Sequence, residues 1–405
     1  MKFYLEIDSF SSLDYYRIFK TRIKEDPISQ IIDGLILKAN FLFKNEIEKI
    51  QKIKQLVSNF KIPIIVNPNT DYYYQFETIN GFIDNEIKDR FQNYYSLKSF
   101  IYSGSDNEIQ KNIEQILNFQ KNFFKIEETI EDGTLLDFLE NIDKTKTIKI
   151  DHFLITPYLH LGKDFNSKNF EDYIRICANF QSKKRNLWLF LYFDETMYSR
   201  IEAIISKWND KFDSIILWNT SYNEFYNSKS QLVEFKNFLD NVIEFKEKLI
   251  FSYAGLLGIK FLQDYFSGFI IKKQLYPGNM KGPPSQSQLL ALSTQNKYGK
   301  KSRTFYNPTN HNLNSKIDIE NPATIEQLKQ TYNCNCFVCN NRILKDNRFF
   351  ENNLIKLIDN PRNKFYHNLF CILKDIFVLK TGSNEQQNKI VNNIEKYNNW
   401  RELFV

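Results

Sequence analysis

Three of the five cysteines fall within one short run, as Cys334, Cys336 and Cys339. Thiolates bind Zn²⁺ tetrahedrally at about 2.3 Å, and a C-x-C-x-x-C turn can present three of them to one ion. A fourth ligand is needed. Of the four histidines, His152, His160, His311 and His367, the last follows Cys339 at a distance that allows a return. Cys371 lies four residues beyond His367 and competes for the same role. Four protein ligands with no open position would make such a site structural rather than catalytic. The alternative is a set of free thiols in a reducing compartment.

Other residues with chemical potential stand at the ends of apolar runs. Asp194 and Glu195 follow one such run and are candidate bases; acids placed there by a helix dipole give the alternative reading. Lys272 and Lys273 follow another. They suit anion contacts, or a lysine nucleophile if desolvation lowers its pKa. The alternative is one solvated and one ion-paired lysine. Tyr158, Trp218 and Tyr253 can stack on a flat base. In a chain that is 16% aromatic, each alone also reads as packing.

These positions require a scaffold that brings strand ends together. Eight short apolar runs alternate with longer amphipathic stretches: Phe3 to Ile7, Gly34 to Leu37, Ile62 to Val66, His152 to Ile155, Leu187 to Phe193, Ser214 to Trp218, Leu249 to Tyr253 and Gly268 to Ile271. Runs apolar on both faces suit a parallel sheet. The stretches Glu46 to Phe60, Phe170 to Phe180, Tyr198 to Trp208 and Ser230 to Phe245 read as helices. Eight such repeats predict an α/β fold, a (β/α)8 TIM barrel, whose active site belongs at the C-terminal ends of the strands. Residues 85–146 read as an insertion after strand three, with a strand of their own at Phe100 to Tyr102. Tyr276 to Lys316 reads as a loop, and no acid occurs between Asp264 and Asp318. The expected division is a barrel over 1–318 and a zinc-binding subdomain with C-terminal helices over 319–405.

The 405 residues carry 54 Lys+Arg against 48 Asp+Glu, a net charge of +6, with 42% hydrophobic residues. That composition excludes a disordered chain. No apolar run approaches the ~20 residues of a membrane span. The start carries no signal-peptide pattern. Few cysteines, odd in number, argue against a disulfide scaffold. A cytoplasmic protein is expected.

The C-x-C-x-x-C run followed by a distant His367-Asn368-Leu369 resembles the zinc subdomain of the tRNA-guanine transglycosylases. The element order over most of the chain is also similar. The resemblance implies a (β/α)8 barrel with a structural Zn²⁺ held by Cys334, Cys336, Cys339 and His367. Family members exchange guanine in RNA for a 7-deazaguanine. They use an Asp nucleophile after strand eight, an acid/base Asp after strand three, and an Asp and a Gly-Gly-Leu that hold the base. Covalent displacement at a sugar carbon needs such carboxylates.

The sequence departs from that pattern at almost every site position. Asn67 stands where the strand-three Asp is expected. Strand four ends at Tyr158 without an acid, and strand six ends in Trp218-Asn219 in place of Gly-Gly-Leu. Strand seven runs into Tyr253-Ala254-Gly255, and strand eight ends in Lys272-Lys273 where the nucleophile belongs. Carried over by position, the base contacts are Asn67, Tyr158, Trp218, Asn219, Tyr253, Gly255 and Lys272. Asp194, Glu195 and Lys273 are the remaining catalytic candidates.

Three functions are therefore weighed. An active base-exchange enzyme on tRNA or DNA is favoured by the barrel and the zinc motif but opposed by the missing carboxylates. A zinc-stabilised scaffold without a base pocket is the simplest. The third is a remodelled relative that keeps a base pocket. A divergent transglycosylase-like branch occurs in type IV CBASS antiviral operons, beside a cGAS/DncV-like nucleotidyltransferase and a deazapurine enzyme. That resemblance implies a protein partner carrying a 7-deazaguanine, with the chain accessory to protein modification by a nucleobase. Dimerisation through the zinc region is a further family trait, giving a homodimer.

Overall fold

The computed structural model describes residues 1–39, 53, 56, 60, 62–68, 70, 105–123, 153–162, 167–181, 186–224, 227–272, 305–307, 312–314, 336–339, 360–392, 394 and 397–404. Strands β1 (Lys2–Ile7), β2 (Gly34–Lys38), β3 (Ile64–Asn67) and β4 (Leu154–Ile155) lie side by side in parallel. They continue through β6 (Leu187–Phe193), β7 (Ser214–Asn219), β8 (Leu249–Ser252) and β9 (Gly268–Lys272). Pairing of β9 with β1 and of β4 with β6 closes the ring. The short β5 (His160–Leu161) extends the course of β4 along the far end of β6. This is the closed eight-stranded TIM barrel that the apolar runs predict.

Strand alternation divides the buried residues into two clusters. One face packs on the surrounding helices: Leu187, Leu189, Leu191 and Phe193 of β6 do so. The other fills the barrel with six isoleucines (Ile36, Ile65, Ile155, Ile216, Ile250 and Ile270) and seven aromatics (Tyr4, Tyr158, Trp188, Phe190, Tyr192, Trp218 and Tyr253). Tyr4 meets Trp188 edge-on at 5.3 Å near the strand starts. The other large rings crowd toward the strand ends. Isoleucine is the expected barrel filler; the aromatic excess on the β6–β7 side is particular to this chain.

The seam between β3 and β4 is held by side chains as well as ladder bonds. Only Val66 and Leu154 are paired across it. Gln120 of helix α2 (Asp106–Phe123) donates from Nε2 to the Ile155 carbonyl at 2.7 Å and accepts the Ile155 N–H at 2.8 Å. Thr70 does the same for Tyr158, with both bonds at 2.6 Å. Buried backbone groups must be paired, and these two side chains replace the missing strand partner. Helix α2 falls within the segment expected as an insertion, and it packs on β4 and on α3 (Ser167–Gln181). The strand expected at 100–102 lies outside the described residues.

Helix α1 (Phe10–Arg22) follows β1, and α4 (Tyr198–Trp208) and α5 (Lys229–Val242) follow β6 and β7. A six-residue helix, α6 (Leu256–Phe261), follows β8. The eighth helical position is taken by α7 (Pro361–Thr381), which packs on α1 and α6. Asn360 caps it by accepting the N–H groups of Arg362 and Asn363, and Pro361 occupies its first turn. Helices α8 (Asn384–Val391) and α9 (Tyr397–Phe404) complete the chain. The segment Tyr276 to Lys316, expected as loop, contains an antiparallel hairpin of Phe305–Asn307 with Asn312–Asn314. Three-residue strands rich in Asn carry no apolar alternation, so composition concealed them. Among the described residues no helix is long and apolar enough to cross a membrane.

The seam gives a direct test. Gln120→Leu keeps the volume but leaves a buried N–H and a buried C=O unpaired, at about 1–3 kcal/mol each. Urea unfolding should show a loss of about 3 kcal/mol with no change in helix content.

Candidate functional site

The C-terminal ends of the strands carry a ring of inward-facing residues. Register places them in one tier: Glu6 opposite Lys272, Lys38 opposite Asn67, and Tyr192 opposite Trp218. Tyr158 joins the tier through a 2.8 Å bond from its hydroxyl to Asn67 Oδ1. Its ring stacks on Phe190 at 3.9 Å. Tyr192 stacks on Trp218 at 4.0 Å, and Trp218 meets Tyr253 edge-on at 5.1 Å. The Lys272 ammonium sits 4.2 Å from the centre of the Tyr253 ring. Asn67, Tyr158, Trp218, Tyr253 and Lys272, five of the base contacts drawn from the sequence, thus line one mouth.

A carboxylate stands in this mouth that sequence reading missed. Glu6 is 4% exposed and faces the barrel interior from β1. Its Oε1 lies 3.2 Å from Lys38 Nζ and 3.5 Å from Lys272 Nζ, and its other oxygen accepts the Tyr253 hydroxyl. Burial alone would push this carboxyl up, but the two ammonium groups and the tyrosine outweigh it and hold it below the usual range. Burial is also the main influence on Lys272: with the nearby Lys38 charge it draws the ammonium down, against the pull of Glu6. The signal in the sequence was an acid inside an otherwise apolar strand, together with two strands ending in lysine.

Tyr253 is held in the left-handed region, at φ 67°, where a bulky residue is strained. Its N–H still reaches the Ile270 carbonyl at 2.8 Å. The twist after β8 turns its ring under Lys272 and its hydroxyl onto Glu6. Beside it Ser252 is buried, and its Oγ has no hydrogen-bond partner among the described residues.

The remaining expected residues lie elsewhere. Asn219 alternates outward: its amide donates to the Tyr198 hydroxyl at 2.8 Å and its oxygen accepts the Ser221 N–H. Strand alternation gives Trp218 the inward face and so directs Asn219 to the helix layer. Gly255 abuts Glu224, a second buried acid that the sequence reading did not single out. Glu224 accepts the N–H groups of Gly255, Leu257 and Gly258 and the Tyr222 hydroxyl. Burial pushes this carboxyl up despite the four donors. A Cβ on Gly255 would stand 2.5 Å from Glu224 Oε2, so glycine is required there. Asp194 caps the turn that follows β6 by accepting the Thr196 N–H, and Glu195 is exposed. This matches the helix-terminal alternative. Asp194 also approaches His160 Nε2 at 3.7 Å. Burial pulls His160 down, against the opposing Asp194 charge. Lys273 lies outside the described residues.

A second constellation lies on the outer layer. Cys336, Cys339 and His367 are buried, and one ligand atom from each lies within 4.8 Å of the others. His367 Nδ1 is 3.5 Å from Cys336 Sγ and 3.2 Å from Cys339 Sγ. A tetrahedral ion with Zn–S of about 2.3 Å and Zn–N of about 2.0–2.1 Å sets S···N edges near 3.5 Å. The donor set and spacing therefore suit a metal ion. The Cys339 N–H points to Cys336 Sγ at 3.3 Å, which favours the thiolate. Phe337, within the turn, packs on Phe19 and Tyr366 and fixes it against α1 and α7. Cys371 Sγ lies 3.8 Å from His367 Nε2 and 4.0 Å from Nδ1. Cys334 lies outside the described residues. Cys177 is a buried thiol pushed up to about 12, an inert core residue.

No known protein-family model matches the sequence, and no curated protein matches it. Two solved structures align with it over most of their own length. A psychrophilic glycoside hydrolase family 10 endo-beta-1,4-xylanase aligns at 8% identity and TM-score 0.30, covering 67% of this chain and 86% of that one. A D-psicose 3-epimerase with D-tagatose from Clostridium cellulolyticum H10 aligns at 9% identity and TM-score 0.30, covering 73% of this chain and 99% of that one.

The Glu6 cluster predicts a pH dependence. A carboxyl lowered in the folded state stabilises fully above its unfolded pKa of about 4.3 and loses that contribution as pH falls through the folded value. Glu6→Gln should cost about 3 kcal/mol near pH 7, since it leaves two ammonium groups without their counter-charge. Urea midpoints of the two proteins should converge as pH falls below about 4. A gap that stays constant would contradict the assigned ion pairs.

Proposed function

We propose that this chain is a remodelled relative of the tRNA-guanine transglycosylases. Its barrel mouth takes a flat 7-deazaguanine base and does not perform the family's glycosyl exchange. One observation carries this reading: an aromatic wall of Tyr158, Tyr192, Trp218 and Tyr253 stands at the strand ends, while strand eight ends in Lys272. These rings are buried and stacked on one another, so a flat base would join the stack by entering between them. Asn67 and the ring of polar groups around Glu6 supply edge contacts. The missing acids after strands three, four and eight support binding without displacement chemistry.

The sequence resemblance to the antiviral-operon branch extends the proposal to a partner. The base would arrive on a protein, a cGAS/DncV-like nucleotidyltransferase, in place of tRNA. A structural Zn²⁺ would be held by Cys336, Cys339 and His367, with Cys334 as the fourth ligand. Its contribution is to staple the Cys336–Cys339 turn to the eighth helix of the barrel.

Glu6 favours a second reading. It stands opposite Lys272 in the strand register, beside the position where the family places its nucleophile. An anionic carboxylate there could attack a sugar carbon in an exchange reaction. The first reading is preferred because both Glu6 oxygens are already engaged by Lys38, Lys272 and Tyr253.

Binding of free 7-deazaguanine, followed by calorimetry, should weaken about tenfold or more in Trp218→Ala, as loss of one stacking contact requires. Labelled base should not enter guanosine-containing tRNA. Enzyme-dependent incorporation abolished by Glu6→Gln would establish the second reading instead. Affinity capture from the native host, followed by intact-mass measurement, should return a nucleotidyltransferase bearing a base-sized adduct; recovery of tRNA alone would remove the partner proposal.

Elemental analysis should find one zinc per chain. Cys336→Ser should release it and lower the melting temperature, because metal binding is coupled to folding. A metal-free wild-type protein of unchanged stability would refute the site.

A further inference from the structure

We propose that Lys272 is an amine nucleophile that forms a Schiff base with a small aldehyde or ketone entering the barrel mouth. This goes beyond base binding and rests on the same mouth, giving a covalent role to a lysine whose ammonium belongs to the polar ring around Glu6.

Four observations carry it. Lys272 closes β9 on the inward face, at the end of the barrel where reacting groups gather. Its side chain is 22% exposed, so it is both largely desolvated and reachable. Lys38 and Lys272 converge on the same oxygen of Glu6, at 3.2 and 3.5 Å. Both ammonium groups face the Glu6 carboxylate, with Asp8 as a second acid that favours the charged form of Lys272, and loss of a proton from Lys272 leaves Glu6 still paired with Lys38. Desolvation and a neighbouring cation are the two conditions that free a lysine amine near neutral pH. Finally, the strained Tyr253 places its ring at 4.2 Å from Nζ and its hydroxyl on Glu6, which restricts the directions from which an electrophile can approach.

The step balances without redox change. The neutral Nζ lone pair attacks the carbonyl carbon, a C–N bond forms, and the C=O π pair moves to oxygen, which takes a proton. Nitrogen loses a proton to give the carbinolamine. The hydroxyl then leaves as water with a second proton from nitrogen, and the C=N bond closes. Lys38 and water at the mouth are the proton donors and acceptors. Among the aromatic walls, a carbonyl attached to a flat ring is the class that fits best.

The test uses the full-length protein with benzaldehyde and sodium cyanoborohydride, across pH 6 to 9. Reduced adducts are located by peptide mass spectrometry. Lys272 should be labelled several-fold faster at pH 7 than exposed lysines such as Lys207 and Lys389, because a desolvated amine beside another cation is more often unprotonated. Lys38→Met should slow Lys272 labelling at pH 7, because the neighbouring cation is gone. Glu6→Gln should speed it, because the counter-charge that holds the proton is removed. Melting curves and circular dichroism identify variants that fail to fold, and Lys38→Met provides an arm that does not depend on Glu6→Gln. Labelling of Lys272 at the rate of the exposed lysines would overturn the proposal. So would an unchanged rate in folded Lys38→Met.

Discussion

A buried carboxylate inside a barrel of isoleucine and aromatic rings must be compensated where it stands. Glu6 sets that requirement. An isolated anion there would cost several kcal/mol, and a buried pair compensates only with close geometry and its other lone pairs engaged. The chain meets the demand from three directions. β2 ends in Lys38, β9 ends in Lys272, and the loop after β8 turns Tyr253 into a strained conformation whose hydroxyl reaches the second oxygen. One acid thus explains the ends of two strands and the unusual backbone after a third. The top tier of the barrel is consequently polar on the β1–β2–β9 side and aromatic on the β6–β7 side. A ligand entering the mouth meets charge on one wall and flat rings on the other.

Much of the scaffold was legible in the sequence because parallel strands are apolar on both faces. The runs at Leu187 to Phe193 and Ser214 to Trp218 needed no tertiary information to be read as buried strands. The site was less legible for the same reason. In Phe3-Tyr4-Leu5-Glu6-Ile7 the acid looks like a flaw in an apolar run, and only alternation with period two shows that it shares a face with Tyr4 and points into the barrel. Asn219 erred in the opposite sense. It follows Trp218 directly, so the two cannot face the same side of β7, and its amide bonds to Tyr198 in the helix layer. Glu224 was hidden because its partners are backbone N–H groups after another strand. Sequence gives no sign of a partner that has no side chain. Short strands raise a related difficulty: β4 is two residues long, and on its β3 side Ile155 is paired by Gln120, thirty-five positions away.

The cysteine turn shows how a local motif acquires a structural meaning from its partner. Cys336 and Cys339 alone bracket a four-residue turn, too short to hold its shape without partners from other elements. His367 joins that loop to α7, and α7 packs on α1 and α6. A metal at this position would therefore tie the cysteine turn to the helix that packs between α1 and α6. Phe337 supports this arrangement by packing against Phe19 of α1 and Tyr366 of α7 at once.

The two walls also explain why the family resemblance and the residues diverge in one consistent way. On the strand where the resemblance expects an anionic nucleophile, the chain carries a cation, and on the neighbouring strand it carries the anion. This arrangement leaves an ion pair at the barrel mouth and, in the proposed reading, makes the amine the nucleophile in place of a carboxylate. A carboxylate held by two ammonium groups is stabilised as an anion and correspondingly less reactive, whereas an amine beside another cation loses its proton more readily. Under the proposal, the electrostatics favour reaction at the strand-eight nitrogen over the strand-one oxygen. The aromatic wall does not depend on that arrangement, so the proposed stacking of a flat ring would be separable from the chemistry proposed for the charged wall.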